Sequence, residues 1–159
     1  MLTDAENREE LKALLPHDSQ MLLLSGCEPE SSPGTAEAWV EITDRSPFFL
    51  AELDGVPGCI AIEYMAQTMA LYTGREKRRK GQRLKIGFVL GSRSLSVNVP
   101  VFRKGEKYRI SSVCTYSDES FGSFSCKIED GEGNVVASGE ITAFQPEEDT
   151  TPDMLKEFS

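Results

Sequence analysis

The 159-residue chain has the length of one domain, enough to bury one sizeable core. Hydrophobic residues at 39% and charged residues at 27% are ordinary for a globular protein, which excludes a disordered or fibrous chain. A formal charge of -9 argues against a phosphate backbone as partner, since nucleic-acid binding needs a broad basic footprint.

The chain begins without the basic stretch and apolar run of a secretory signal, so a cytoplasmic protein is expected. Thr3 and Glu6 have capping-box spacing, and the residues that follow through Leu15 favour a short helix that Pro16 stops. Met21 to Leu24 reads as a first strand before the turn-forming Ser31 to Gly34. From Ala36 to Ile42 apolar residues alternate with Glu37, Trp39 and Glu41, the pattern of a strand with one buried face.

Pro57 to Thr73 differs in kind. Pro57 suits a first helical position and Gly74 a stop, and the apolar residues between them cover almost every helical face, so this helix is expected to be buried. It falls short of the ~20 apolar residues of a membrane span and contains Glu63, Gln67 and Thr68, which leaves a core helix.

Ile86, Phe88 and Leu90 hold one alternating phase, and Leu95, Val97, Val99 and Val101 the other, so a bulge is expected near Gly91. Tyr108 to Tyr116, Phe124 to Glu129 and Val135 to Phe144 follow as an antiparallel meander, the last two separated by the turn-rich Asp130 to Asn134. The expected organisation is one domain over residues 1–146 with a polar tail over 147–159. A long buried helix followed by antiparallel strands points to an α+β domain in which a curved sheet wraps the helix, as in the hotdog arrangement.

Few residues are available for chemistry. Glu63 is the only charged residue between Val56 and Gly74, and burial would favour its neutral, proton-donating form. Gln67, one turn later, has the spacing to orient that carboxyl. The alternative is a structural glutamate paired with an arginine or exposed where the helix breaks the surface. His17 is the only histidine, so any imidazole base is this one, although a lone histidine is more often a surface or packing residue.

Pro57 and Gly58 would leave the Gly58 amide free at the helix start to bind a carbonyl oxygen, unless they form nothing more than a good helix start. Cys27, Cys59, Cys114 and Cys126 form no CxxC pair, so reduced, packing cysteines and no metal site are expected. Met65 and Met69 suit either an acyl tunnel or an ordinary core. Arg75, Lys77, Arg78, Arg79, Lys80, Arg83 and Lys85 form a basic segment in which Glu76 is the single acid. That run would recruit an acidic partner or simply complement a helix end.

In order, Leu15-Pro16-His17, Ser46-Pro47-Phe48-Phe49, Val56-Pro57-Gly58, Ile62-Glu63-Tyr64-Met65-Ala66-Gln67, Ile86-Gly87-Phe88, Val99-Pro100-Val101-Phe102 and Gln145-Pro146 span the chain from Leu15 to Pro146. This series resembles the hotdog-fold 3-hydroxyacyl-acyl-carrier-protein dehydratases, most of all those encoded with aryl polyene pigment synthesis. Fatty-acid dehydratases carry a Gly-His-Phe-Pro loop before the central helix, where this chain reads Leu50-Ala51-Glu52-Leu53-Asp54-Gly55.

The resemblance therefore implies Glu63 directly and His17 through the pigment-type Pro-His. It implies dehydration of a 3-hydroxyacyl thioester to the 2-enoyl thioester, with the Gly58 amide on the carbonyl and Pro57 and Gln67 beside it. It also implies an acyl carrier protein as partner, docked through Arg75, Lys77, Arg78, Arg79 and Lys80. A homodimer or higher assembly, or a second hotdog subunit, belongs to the same expectation. No metal or cofactor is implied beyond the carrier's phosphopantetheine. A hotdog thioesterase, with Glu63 activating water, and a noncatalytic carrier-binding subunit are the competing readings.

Overall fold

The computed structural model describes residues 4–14, 22–82 and 87–145, with the main chain alone at 4–8 and 88. Among these residues helix α1 covers Asp4–Leu14, α2 covers Ala61–Arg79, and eight strands accompany them. Strands β1 (Gly26–Cys27), β2 (Thr35–Glu41), β4 (Phe88–Val97), β6 (Lys107–Ser117), β7 (Phe121–Glu129) and β8 (Val135–Phe144) form one antiparallel sheet in the order β1-β2-β6-β7-β8-β4. β3 (Gly55–Pro57) and β5 (Val101–Arg103) pair as a separate two-stranded ribbon.

Alternation decides which face of the sheet meets α2. Along β2, Ala36, Ala38 and Val40 are buried while Glu37 and Trp39 are half-buried, and β6 answers in register with Tyr108, Ile110 and Ser112. Against that face α2 places Tyr64, Met65, Met69 and Leu71, each at most 3% exposed. Complete burial of each contributes roughly 1.5–3 kcal/mol. Phe102 of β5 joins the core with its ring edge-on to Tyr64 (5.3 Å) and to Tyr108 (4.9 Å).

The meander β6-β7-β8 forms as the turn signals require. The expected bulge is present between Val89 and Gly91, and a second lies between Arg93 and Ser96, where Ser94 has a left-handed φ of 53°. Three expectations need correction. Leu22 to Leu24 is buried but forms no strand; the first pairing starts at Gly26. Val99 and Val101 do not extend β4, because the chain turns at Pro100 to begin the β3-β5 ribbon.

Gly74 also fails to stop the central helix, which continues to Arg79. There α1 packs so closely that a Cβ on residue 74 would stand 2.2 Å from the Leu14 carbonyl oxygen. The glycine serves a close approach of main chains rather than a terminus.

Candidate active site

Glu63 occupies the first turn of α2 and is half-buried rather than enclosed. It stands at one end of a cavity of about 530 Å³ that runs beside the helix. Glu63, Ala66, Ala70, Thr73, Lys77 and Lys80 line this cavity from α2. Their spacing of three and four residues defines one helical stripe, and at 1.5 Å per residue it spans roughly 25 Å. Phe121, Phe124, Ala143 and Val89 supply the sheet-side wall, and Asp118 and Glu119 stand with the lysines among the lining. Tyr72 meets Phe124 edge-on at 5.6 Å.

The site is a carboxyl group in a groove whose middle is apolar. It can hold an acyl chain along its length with a proton-carrying group at the reacting end. Of the two methionines, Met69 lines the groove and Met65 is core. The wall on β7 and β8 escaped sequence reasoning, because inward phase marks Phe124 as core without saying that α2 leaves space in front of it.

The remaining site expectations divide. His17 lies outside the described residues, as do Arg83 and Lys85 of the basic run. Gly58 is not free to bind a carbonyl: its N–H donates to the Pro100 carbonyl oxygen at 2.8 Å, and a Cβ there would stand 2.3 Å from the Val99 oxygen. The α-helix itself starts later than expected, at Ala61 rather than Pro57. Pro57 is a residue of β3, opposite Val101, and precedes a 3-10 turn over Gly58–Ile60 that leads into α2.

Gln67 is completely buried, and its Oε1 accepts the Leu23 N–H at 2.9 Å, so that oxygen bonds the main chain. Cys59 is exposed rather than packed, and Cys114 is half-buried. Cys27 and Cys126 are buried as expected, and desolvation pushes each thiol up to about 11.

The basic run separates along its helix. Arg75 is 6% exposed and donates to the Glu28 carbonyl oxygen at 2.6 Å, which removes it from any docking surface. Arg78 pairs with Glu10 at 3.4 Å, and Arg79 pairs with Glu30 at 2.6 Å and Glu76 at 3.0 Å. Lys77 is half-buried and Lys80 exposed, both beside the groove. Among the described residues no group of three or more potential ligands could hold a metal ion, and no helix is long and apolar enough to cross a membrane.

A six-stranded antiparallel sheet wrapped around one long helix, with a helix-borne carboxyl facing a groove, defines a hotdog-fold protein. A family model described as ApeP-like, ApeP dehydratase, matches residues 9–156. The chain belongs to this family of dehydratases.

Among solved structures, the dehydratase heterocomplex ApeI:P from Xenorhabdus doucetiae is 29% identical, with a TM-score of 0.82 over 91% of this chain and 95% of that one. An HP0420 homologue from Helicobacter felis (13% identity, TM-score 0.61, 92% and 94% covered) shares the fold. So does a hypothetical thioesterase with coenzyme A from Streptococcus pneumoniae (14%, 0.57, 78% and 88%). A comparison with curated proteins found no match.

Proposed function

We propose that the chain removes water from a 3-hydroxyacyl thioester borne on an acyl carrier protein, leaving the 2-enoyl thioester, in aryl polyene synthesis. The observation that carries this reading is Glu63, facing an apolar groove in a member of the ApeP dehydratase family. His17 takes the α-proton, the C–H electrons form the new α,β double bond through an enolate, and the β C–O bond breaks. The departing hydroxyl takes a proton from Glu63 and leaves as water. The elimination is redox-neutral, and the thioester arm belongs to the carrier, so we assign no cofactor to this chain.

Because the Gly58 amide is occupied, the amide of Cys59 on the same turn becomes the candidate donor to the developing enolate. Arg78, Arg79 and Lys80, all exposed, remain the candidate contacts for an acidic carrier. We place the reaction in the cytoplasm.

We also infer a second hotdog subunit, as in the ApeI:P heterocomplex. β4 is the last strand of its sheet, and it exposes Val89, Leu90, Leu95 and Val97 by 38–59%. An apolar edge of this kind is a template for a strand from another chain.

Mass spectrometry of a 3-hydroxyacyl carrier protein after incubation tests the reaction. Loss of one water is expected with the wild type, and none with His17→Ala or Glu63→Gln. Release of the free acid would replace dehydration by thioester hydrolysis, and an unchanged substrate would favour a noncatalytic carrier-binding role.

A further inference from the structure

The groove beside α2 changes character along its length. Between Glu63 and Thr73 the helix lines it with Ala66, Met69 and Ala70. The Thr73 hydroxyl donates to the Met69 carbonyl oxygen at 3.0 Å, so its proton stays within the helix. Beyond Thr73 the lining turns charged, with Glu76, Lys77 and Lys80 on the helix and Asp118 and Glu119 on the turn between β6 and β7.

That turn is fixed by its own hydrogen bonds. Asp118 Oδ1 accepts the N–H groups of Ser120 (2.8 Å) and Phe121 (2.7 Å), and its Oδ2 accepts the Tyr116 hydroxyl at 2.9 Å. The Gln145 N–H, just after β8, donates to the Ser120 carbonyl oxygen at 2.7 Å. Phe121, the wall residue next to this turn, rests on Phe144 with ring centroids 5.1 Å apart. The charged end of the groove therefore has a set position.

The apolar stretch accordingly has a length. Glu63 and Thr73 lie on one helix, about 15 Å apart along its axis. An extended chain advances roughly 1.2 Å per bond, a third of the span of a peptide residue with its three bonds. A 3-hydroxyacyl group with its β-carbon at Glu63 thus meets the charged end about twelve carbons further on. Each methylene buried before that point tightens binding by up to about fourfold, and those beyond it enter a charged, open segment and add nothing.

We propose that the groove selects its substrate by chain length, favouring acyl groups of about fourteen carbons over shorter ones, with Ala70 as the specificity-determining residue. Ala70 is half-buried and lies about 10 Å along the helix from Glu63. Helical side chains tilt toward the N-terminus, so a large one at this position would close the groove between roughly the eighth and eleventh carbon. The proposal deepens the reading of the groove as an acyl site beside Glu63 and rests on it.

Calorimetric titration of the full chain with saturated acyl-coenzyme A thioesters of six, ten and fourteen carbons reads the groove without turnover. The fourteen-carbon ester should bind about tenfold or more tightly than the ten-carbon one. In Ala70→Phe that advantage should vanish while the six-carbon ester is still bound, and Ala70→Leu serves the same comparison if the phenylalanine variant does not fold. Mass spectrometry of the matching 3-hydroxyacyl carrier proteins should show the same selective loss of the long substrate.

A wild type without the length preference overturns the proposal. So does a folded variant that keeps the preference or loses all three esters alike. A preference that Ala70→Phe abolishes, with no water lost from any 3-hydroxyacyl carrier protein, would uphold the length selection and overturn only the dehydration reading.

Discussion

Replacing Gly58 by alanine places a Cβ 2.3 Å from the Val99 carbonyl oxygen and 3.2 Å from that of Pro100, against 3.4–4 Å for ordinary contact. Both obstacles are main-chain atoms in the turn between β4 and β5, so they yield only if that turn moves. Overpacking of this kind costs about 1–3 kcal/mol. Movement would also stretch the 2.8 Å bond from the Gly58 N–H to Pro100, adding about 1 kcal/mol. The better helix propensity of alanine offsets up to about 1 kcal/mol.

The net loss is about 2 kcal/mol, or roughly 4–8 °C in Tm for a domain of this size. Thermal melting followed by circular dichroism measures it, alongside dehydratase activity well below the transition. An unchanged Tm with lost activity would refute the packing argument. It would mean that the space and amide at Gly58 serve the ligand.

Arg75→Met should lower stability by about 1–2 kcal/mol, because it leaves the half-buried Glu28 carbonyl without its charged donor, whereas Lys80→Ala should leave the melting temperature nearly unchanged. Equilibrium denaturation distinguishes a core arginine from a docking residue. Stability should also fall at alkaline pH. Burial raises the Cys27 and Cys126 thiols to about 11, above the ordinary thiol value, so the unfolded chain loses these protons first. Their contribution is complete below pH ~9 and is lost as pH rises through about 11, and urea titrations across that window, compared with the Cys27→Ala and Cys126→Ala double variant, measure it. A double variant with the same alkaline slope as wild type would remove the thiols as its cause.

The legible parts of the chain are those with a local cause. Alternation along β2, β6 and β8 locates the strands because a sheet with one buried face imposes a period of two. The bulge near Gly91 is visible as a change of phase. Glu63 stands out because a single charge in a long apolar helix is costly unless it has a task. Gly74 misleads because a glycine that lets two main chains meet has the same letter as one that ends a helix. Gly58 misleads in the same way, with the Val99 and Pro100 carbonyls occupying the place assigned to a ligand.

Composition and pattern by themselves determine an α+β domain with one buried helix, a meander, and Glu63 and His17 as its scarce proton-carrying candidates. Those features follow from periodicity and from the count of residues able to do the chemistry. Tertiary structure alone decides what each polar group near the helix faces. It commits Gln67 to Leu23 and buries Arg75 against the Glu28 carbonyl. It opens the groove from Glu63 toward Lys80 and, among the described residues, leaves β4 at the sheet edge. Partners in space come from residues far apart in the chain, and nothing in the local pattern encodes which of them meet.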